Sequence, residues 1–304
     1  MRNHRLRRCH MTVPGSNAKM LEKSLSVDVD VIVIDLEDAV APQEKSAARA
    51  LVAEHLTQAT WRAPTVSVRI NDLNSPHCFQ DVIALIEAAS LSGRRPDTLI
   101  LPKTQTRADI SFLDRLLLQV ESAHGIKESV GIEALIEDAK GMININEIAA
   151  SSPRLESLSF GMGDFAASQH MPMLDIGRQG AYPGDLWHYP RSRLVMAARA
   201  HGLVPIDGPF ADYKDAEGLT ADSQTGKLLG LSGKWAIHPN QVPIISECFS
   251  PDSEDVARAR SQKAAYEQAL EAGQGAVSVD GVMVDQATMK LIEPLLAQAD
   301  LLQI

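Results

Sequence analysis

Short apolar runs rich in branched residues recur along the chain, and most are separated by stretches with helical spacing. They occupy residues 9–13, 29–36 (VDVIVIDL), 65–70, 98–101, 130–136, 155–160, 203–206 and 234–237. Residues 29–36 are too apolar to face water on either side. Between the runs, residues 79–89 and 110–123 place apolar side chains at i, i+3, i+4 and i+7, the spacing of a one-sided helix. Buried strands alternating with such helices predict a parallel sheet covered by helices. Eight strand–helix units favour a closed (β/α)8 TIM barrel over an open doubly wound sheet. The open sheet is disfavoured because no GxGxxG follows any strand, and PGSNAKM after the first carries no dinucleotide fingerprint.

The barrel is expected to end near Phe249, so residues 1–249 read as the catalytic domain. Residues 250–304 then form an appended segment. Within it, residues 253–272 predict a long polar helix and GQGAVSVDGVMVD a hairpin turning at Asp280-Gly281. Residues 286–302 predict a last helix, kinked at Pro294.

Composition narrows the class. Of 304 residues, 45% are hydrophobic and 22% charged, which excludes a disordered chain. The 29 Lys+Arg against 39 Asp+Glu give a net charge of −10, which argues against an extended nucleic-acid surface. Cys9, Cys78 and Cys248 have no metal-finger spacing and read as reduced thiols. No apolar run approaches the length of a membrane span. Arg2, Arg5, Arg7 and Arg8 crowd the start, but no apolar core of a signal follows them. A cytoplasmic protein with no membrane partner is expected.

Barrel chemistry is built where the strands run out into their following loops. Those positions hold Asp35-Leu36-Glu37-Asp38, Arg69, Lys103, Glu137-Asp138, Asp164 and His238. Glu137 and Asp164 follow neighbouring strands, which lie roughly 5 Å apart, so their carboxylates can share one ion. Two hard oxygen donors, with room for water and substrate, suit Mg²⁺ or Mn²⁺. Either carboxylate could instead cap the helix that follows it. Asp35, Glu37 and Asp38 suit an outer shell holding metal-bound water, or simple solvation of a strand end. Arg69 could grip a substrate carboxylate with its planar fork, or form a structural ion pair with those acids. Lys103 could form a Schiff base, and His238 could act as a base or be a satisfied loop residue.

The motifs VPGSN, DLEDAV, VRIN, LPK, IEDAKG, GMGDFAAS, PIDGPFADYKDAEG, GKWAIHPNQV and DGVMVD, in this order, resemble the HpcH/HpaI aldolase/citrate lyase β-subunit family. Within it they look most like the malyl-CoA lyases. The resemblance runs from about residue 8 to 290. It implies Mg²⁺ held by Glu137 and Asp164, and an enolate-stabilising arginine at Arg69. It also implies a general acid/base at Asp285, carried on a C-terminal lid that closes over a neighbouring subunit. From the residues alone, Asp285 reads equally as the N-cap of the last helix.

The implied reaction is the Mg²⁺-dependent, Claisen-type cleavage or formation of a 3-hydroxyacyl-CoA such as malyl-CoA, giving a 2-oxo acid (glyoxylate) and acetyl-CoA. The protein would be a homo-oligomer, trimer or hexamer, with shared active sites. Arg7, Arg8, Lys19 and Lys23 are candidates for the CoA phosphates. A malyl-CoA thioesterase on the same metal site, a carrier-dependent citryl lyase and a catalytically silent barrel remain alternatives. The loop from 166 to 189 reads as shorter than in typical malyl-CoA lyases.

Overall fold

The computed structural model describes residues 5–174, 176 and 184–304; part of the loop from 166 to 189, expected to be shorter than in typical malyl-CoA lyases, lies outside them. The chain divides into two compact units, Met1–Phe249 and Ser250–Ile304.

In the first unit eight parallel strands close into a barrel in sequence order. They are β1 (Cys9–Pro14), β2 (Val31–Asp35), β3 (Thr65–Arg69), β4 (Thr98–Leu101), β5 (Gly131–Ile136), β6 (Leu155–Phe160), β7 (Val204–Asp207) and β8 (Gly233–Ala236). The last strand pairs with the first, with His10 opposite Trp235. β8 starts one residue earlier than its apolar run because Gly233 meets the backbone of Arg7 there. A Cβ at that glycine would lie 1.8 Å from the Arg7 carbonyl oxygen.

Helices α1 (Ala18–Ser24), α2 (Lys45–Gln58), α3 (Cys78–Ser92), α4 (Arg107–Ala123), α5 (Ala139–Ile143), α6 (Ile145–Ala149), α7 (Met162–Ser168), α8 (His188–Ala200), α9 (Ala216–Leu228) and α10 (Gln241–Cys248) follow the strands. Ile32, Ile34, Val68, Leu99 and Ile132 belong to the large apolar cluster shared with these helices. The alternate positions Val31, Val33, Ile100, Leu135, Ile206 and Trp235 form a separate cluster inside the barrel. That two-residue alternation explains why the strand runs are apolar throughout: both faces are covered.

Below the inner cluster, at the N-terminal ends of the strands, the barrel is closed by polar groups. Glu133 on β5 accepts hydrogen bonds from Arg7 Nη1 (2.6 Å), Thr98 Oγ1 (2.6 Å), Ser67 Oγ (3.1 Å) and, at its other oxygen, Ser157 Oγ (2.7 Å). Arg7 also donates to Glu156 Oε2 at 2.6 Å.

The second unit consists of α11 (Ser253–Glu271), a hairpin of β9 (Ala276–Val279) and β10 (Val282–Asp285), and α12 (Gln286–Leu302). Asp280 and Gly281 take φ of 50° and 79°, the paired left-handed residues that a two-residue hairpin turn requires. Asp252 caps α11 by accepting the N–H groups of Glu254 and Asp255. α12 continues through Pro294, so that proline costs a backbone hydrogen bond without ending the helix. Val256 and Ala259 of α11 pack on Leu296 and Ala299 of α12, while Tyr266 joins Val284 and Met289 in a second small cluster. Among the described residues no helix is long and apolar enough to cross a membrane.

Candidate active site at the barrel mouth

Inward-facing positions recur every second residue along a strand. On β2 that sequence, Val31–Val33, ends on Asp35. On β3 it runs from Ser67 to Arg69, and on β5 from Glu133 through Leu135 to Glu137, just past the strand. Asp35 and Arg69 are also register partners. Their side chains meet as a two-pronged pair, Nε to Oδ1 at 2.8 Å and Nη2 to Oδ2 at 2.5 Å.

Asp35 is fully buried and accepts the backbone N–H groups of Glu37 (2.8 Å) and Ala39 (3.1 Å) as well. Its acceptor capacity is thereby used, which corrects the expectation that it holds metal-bound water. It positions Arg69 and the loop after β2. The remaining Arg69 nitrogen, Nη1, faces Glu37 Oε2 at 3.2 Å and Asp38 Oδ2 at 3.6 Å. Its guanidinium carbon lies 5.8 Å from the Trp235 ring centroid, so the indole forms a floor beneath the cation. Burial alone would lower the pKa of Arg69, but the hydrogen bonds and charge of Asp35 outweigh it and raise it.

Lys103 stands at the end of β4 with a left-handed φ of 50°. Its N–H donates to Glu137 Oε1 at 2.7 Å. Its ammonium donates to Glu37 Oε1 and, at 3.3 Å, to Asp38 Oδ1, and it lies 3.7 Å from Asp164 Oδ2. Burial opposes its charge, yet Glu37 and Asp38 hold its pKa above the ordinary lysine value. An amine nucleophile needs the opposite shift, so the Schiff-base reading is set aside.

Glu137 is almost wholly buried, and burial pushes its carboxyl up to about 8 despite the Lys103 N–H and the Arg69 charge. Burial likewise lifts Glu37 to about 7, against Arg69 and Lys103. Glu137 fits only because residue 161 is glycine: a Cβ there would lie 2.4 Å from the Glu137 Cβ and 2.6 Å from Oε2. The neighbouring acid has a different task. Asp138 caps α5, accepting from Lys140 N at 2.7 Å and Gly141 N at 3.1 Å.

Asp164, in the first turn of α7, has a side chain 47% exposed. Glu137, Asp164, Arg69, Asp38 and Trp235 all line one cavity of about 200 Å³. A buried carboxyl with a raised pKa beside a half-exposed acid, both facing one cavity, is a donor set that fits a hard divalent cation. Among the described residues no three His, Cys, Asp or Glu side chains form a cage by themselves. An ion here would complete its shell with water and substrate oxygens.

The other sequence candidates are placed elsewhere. Arg7 and Arg8 lie at the N-terminal end of β1, the far end of the barrel from this cavity. Arg7 is bound to Glu133 and Glu156, and Arg8 reaches Asp30 Oδ1 at 2.6 Å. Their expected CoA role is corrected on that ground: both close the barrel floor. Lys19 and Lys23 are exposed on α1, and Lys23 lines a separate apolar cavity of about 260 Å³ with Met20 and Pro239. His238 accepts from Asn240 N at 3.2 Å and stacks on Tyr213 at 4.6 Å, which ties two mouth loops together.

In the second unit, Asp285 caps α12, its Oδ1 accepting from Ala287 N at 2.9 Å and Thr288 N at 3.0 Å. Those bonds, the one from Thr288 N first, hold its pKa below the usual aspartate value. Sequence reasoning missed Trp235 and Gly161. The first was signalled by its inward parity on β8, the second by its place directly after β6, beside Glu137.

The HpcH/HpaI aldolase/citrate lyase family matches the chain over residues 8–239. An L-malyl-CoA/β-methylmalyl-CoA lyase of Cereibacter sphaeroides is 40% identical over 305 residues, covering 97% of this chain and 95% of that one. The protein CitE of Mycobacterium tuberculosis, solved with magnesium, acetoacetate and coenzyme A, is 27% identical with a TM-score of 0.72, covering 96% of this chain and 97% of that one. A citrate lyase from Burkholderia xenovorans shares the fold at a TM-score of 0.85 and 24% identity, over 97% and 92% of the two chains. Barrel, mouth carboxylates and sequence agree, and the chain belongs to the HpcH/HpaI aldolase/citrate lyase family of carbon–carbon lyases.

Proposed function

We propose that the protein is a Mg²⁺-dependent lyase that cleaves or forms a 3-hydroxyacyl-CoA such as malyl-CoA, giving glyoxylate and acetyl-CoA. The observation that carries this reading is the meeting of Glu137, Asp164 and Arg69 on one cavity, in a chain so similar to a malyl-CoA lyase. Glu137 and Asp164 would hold the cation, Mn²⁺ serving in place of Mg²⁺. Bound there, the cation supplies Lewis acidity and a template for the substrate's carboxylate and hydroxyl oxygens.

Arg69, fixed by Asp35 from behind and Trp235 from below, points a permanent charge at the cavity. As the hydroxyl loses its proton and the carbon–carbon bond breaks, negative charge moves onto the thioester oxygen of the departing fragment, and Arg69 offsets it. Asp285 takes the hydroxyl proton and returns it to the enolate carbon, or removes that carbon's proton and passes it to the new alkoxide in the condensation direction. Its hairpin would bring it over the mouth of a neighbouring subunit and exclude water, so the reading includes a homo-oligomer with shared sites. The helix cap does not conflict with this role, because both capping bonds fall on Oδ1. Exposed Lys19 and Lys23 are available to CoA phosphates.

Incubation with a panel of 3-hydroxyacyl-CoAs, with and without Mg²⁺, and mass analysis of the products tests the reading. Glyoxylate and acetyl-CoA appearing only with Mg²⁺ supports it. Free malate and CoA would mean a thioesterase, and inertness toward every free CoA thioester would favour the carrier-dependent citryl lyase.

A further inference from the structure

Lys103 is placed to act on the metal site through two different groups. Its backbone N–H holds Glu137, and its ammonium reaches the acids of the β2 loop and Asp164. The left-handed backbone lets one residue do both, at a conformational cost that a non-glycine residue meets only where its surroundings hold it. We propose that Lys103 is a positioning residue that sets the affinity of the mouth for its divalent cation: its ammonium competes with the ion for Asp164, so that the ion is held weakly until an anionic substrate joins it.

Asp164 Oδ2 faces a fixed positive charge at 3.7 Å, and a cation arriving there meets that charge at close range. Arg69 adds a second fixed positive charge on the same cavity. With both present, the open positions around a bound ion favour a ligand that brings negative charge on chelating oxygens. A 2-oxo or 2-hydroxy acid does this and water does not. The ordering of ion and substrate is thereby built into the protein.

This inference rests on the metal assignment above, and calorimetry with Mn²⁺ alone and with Mn²⁺ plus oxalate separates the two. In the wild type, Mn²⁺ should bind weakly and oxalate should tighten it. Lys103→Met removes the charge and keeps the stem, and Lys103→Gly keeps the N–H in an unstrained left-handed position. Both should bind Mn²⁺ alone about 10-fold more tightly, with a smaller gain from oxalate. Lys103→Arg should return both quantities toward wild type. A purely structural lysine predicts weaker Mn²⁺ binding in the Met and Gly variants, or no change, and either result overturns the proposal. A wild type that binds no Mn²⁺ sinks the metal assignment and this inference together.

Discussion

β5 carries a buried glutamate at each end, and the two have opposite fates. Glu133, at the floor, receives Arg7 and three hydroxyls, and although burial would raise its pKa, the Arg7 charge first, then His10 and Thr98, hold it well below the ordinary value. Glu137, at the mouth, is about as buried, and burial wins there, lifting its carboxyl to about 8. Residue type, strand and burial are shared, so the difference lies in what each carboxylate meets. At the floor both oxygens of Glu133 already have donors. The mouth holds more carboxylates than its two cations satisfy, and that deficit supports the proposed divalent-ion site.

The comparison breaks most sharply at the mouth acids. Asp164→Ala should abolish metal-dependent turnover while circular dichroism and the unfolding midpoint stay close to wild type, because a half-exposed side chain in the first turn of α7 carries little packing. Undiminished turnover in that variant would falsify the metal assignment. Asp285→Ala should be nearly inactive yet bind Mn²⁺ normally. Mixing these two variants under subunit exchange should restore part of the activity, since some sites then pair an intact metal pair with an intact lid. Mixed oligomers that stay dead after exchange is verified would place Asp285 in its own subunit or reduce it to a cap.

At the floor, Glu133→Gln leaves the buried Arg7 with Glu156 as its charged partner and weakens its bond to residue 133. It should cost about 1–3 kcal/mol of stability, read from denaturant midpoints, and leave Mn²⁺ affinity unchanged in the folded fraction. Glu137→Gln should do the reverse, losing the ion without losing stability. Similar behaviour of the two variants would erase the distinction between the ends.

Arg69→Lys keeps a charge but loses the fork that grips Asp35, and turnover should fall by about 100-fold. A lysine that works nearly as well would mean that only a general positive charge is needed there.

The pH dependence follows from the sign of each shift. Glu137 has a folded value raised to about 8, so its contribution to the stability of the ion-free protein is complete at acid pH. It is lost as pH rises toward and through about 8. Glu133, depressed, contributes above the unfolded value of about 4.5 and is lost on acidification. With chelator present, the wild type should therefore lose stability from pH 6 to 8.5 relative to Glu137→Gln, and Mg²⁺ should cancel the loss. Equal slopes in the two proteins would remove Glu137 as the source.

Much of this was legible in the chain because a closed parallel barrel covers both faces of each strand. Runs such as VDVIVIDL then announce themselves, and their ends mark the mouth. Those ends put Arg69, Glu137 and Asp164 at the mouth. What stayed hidden depends on partners far along the chain. Arg7 and Arg8 looked like a basic phosphate-binding start, and only the pairing with Glu133, 126 residues away, and with Asp30 shows them closing the floor. Asp35 looked like one acid among three. Register alone turns it into the anchor of Arg69. For Lys103, sequence supplied an amine at a strand end, but its left-handed backbone and three carboxylate neighbours are properties of the fold.

The proposed role of the buried Glu137 carboxyl is to hold a divalent cation. Calorimetric titration with Mn²⁺ at pH 7, repeated in buffers of different ionisation enthalpy, tests it most directly. With Glu137 raised to about 8, binding should release up to about one proton per ion in the wild type. Glu137→Gln should release almost none and bind far more weakly. Tight Mn²⁺ binding by Glu137→Gln, or wild-type binding with no proton release, would contradict the account.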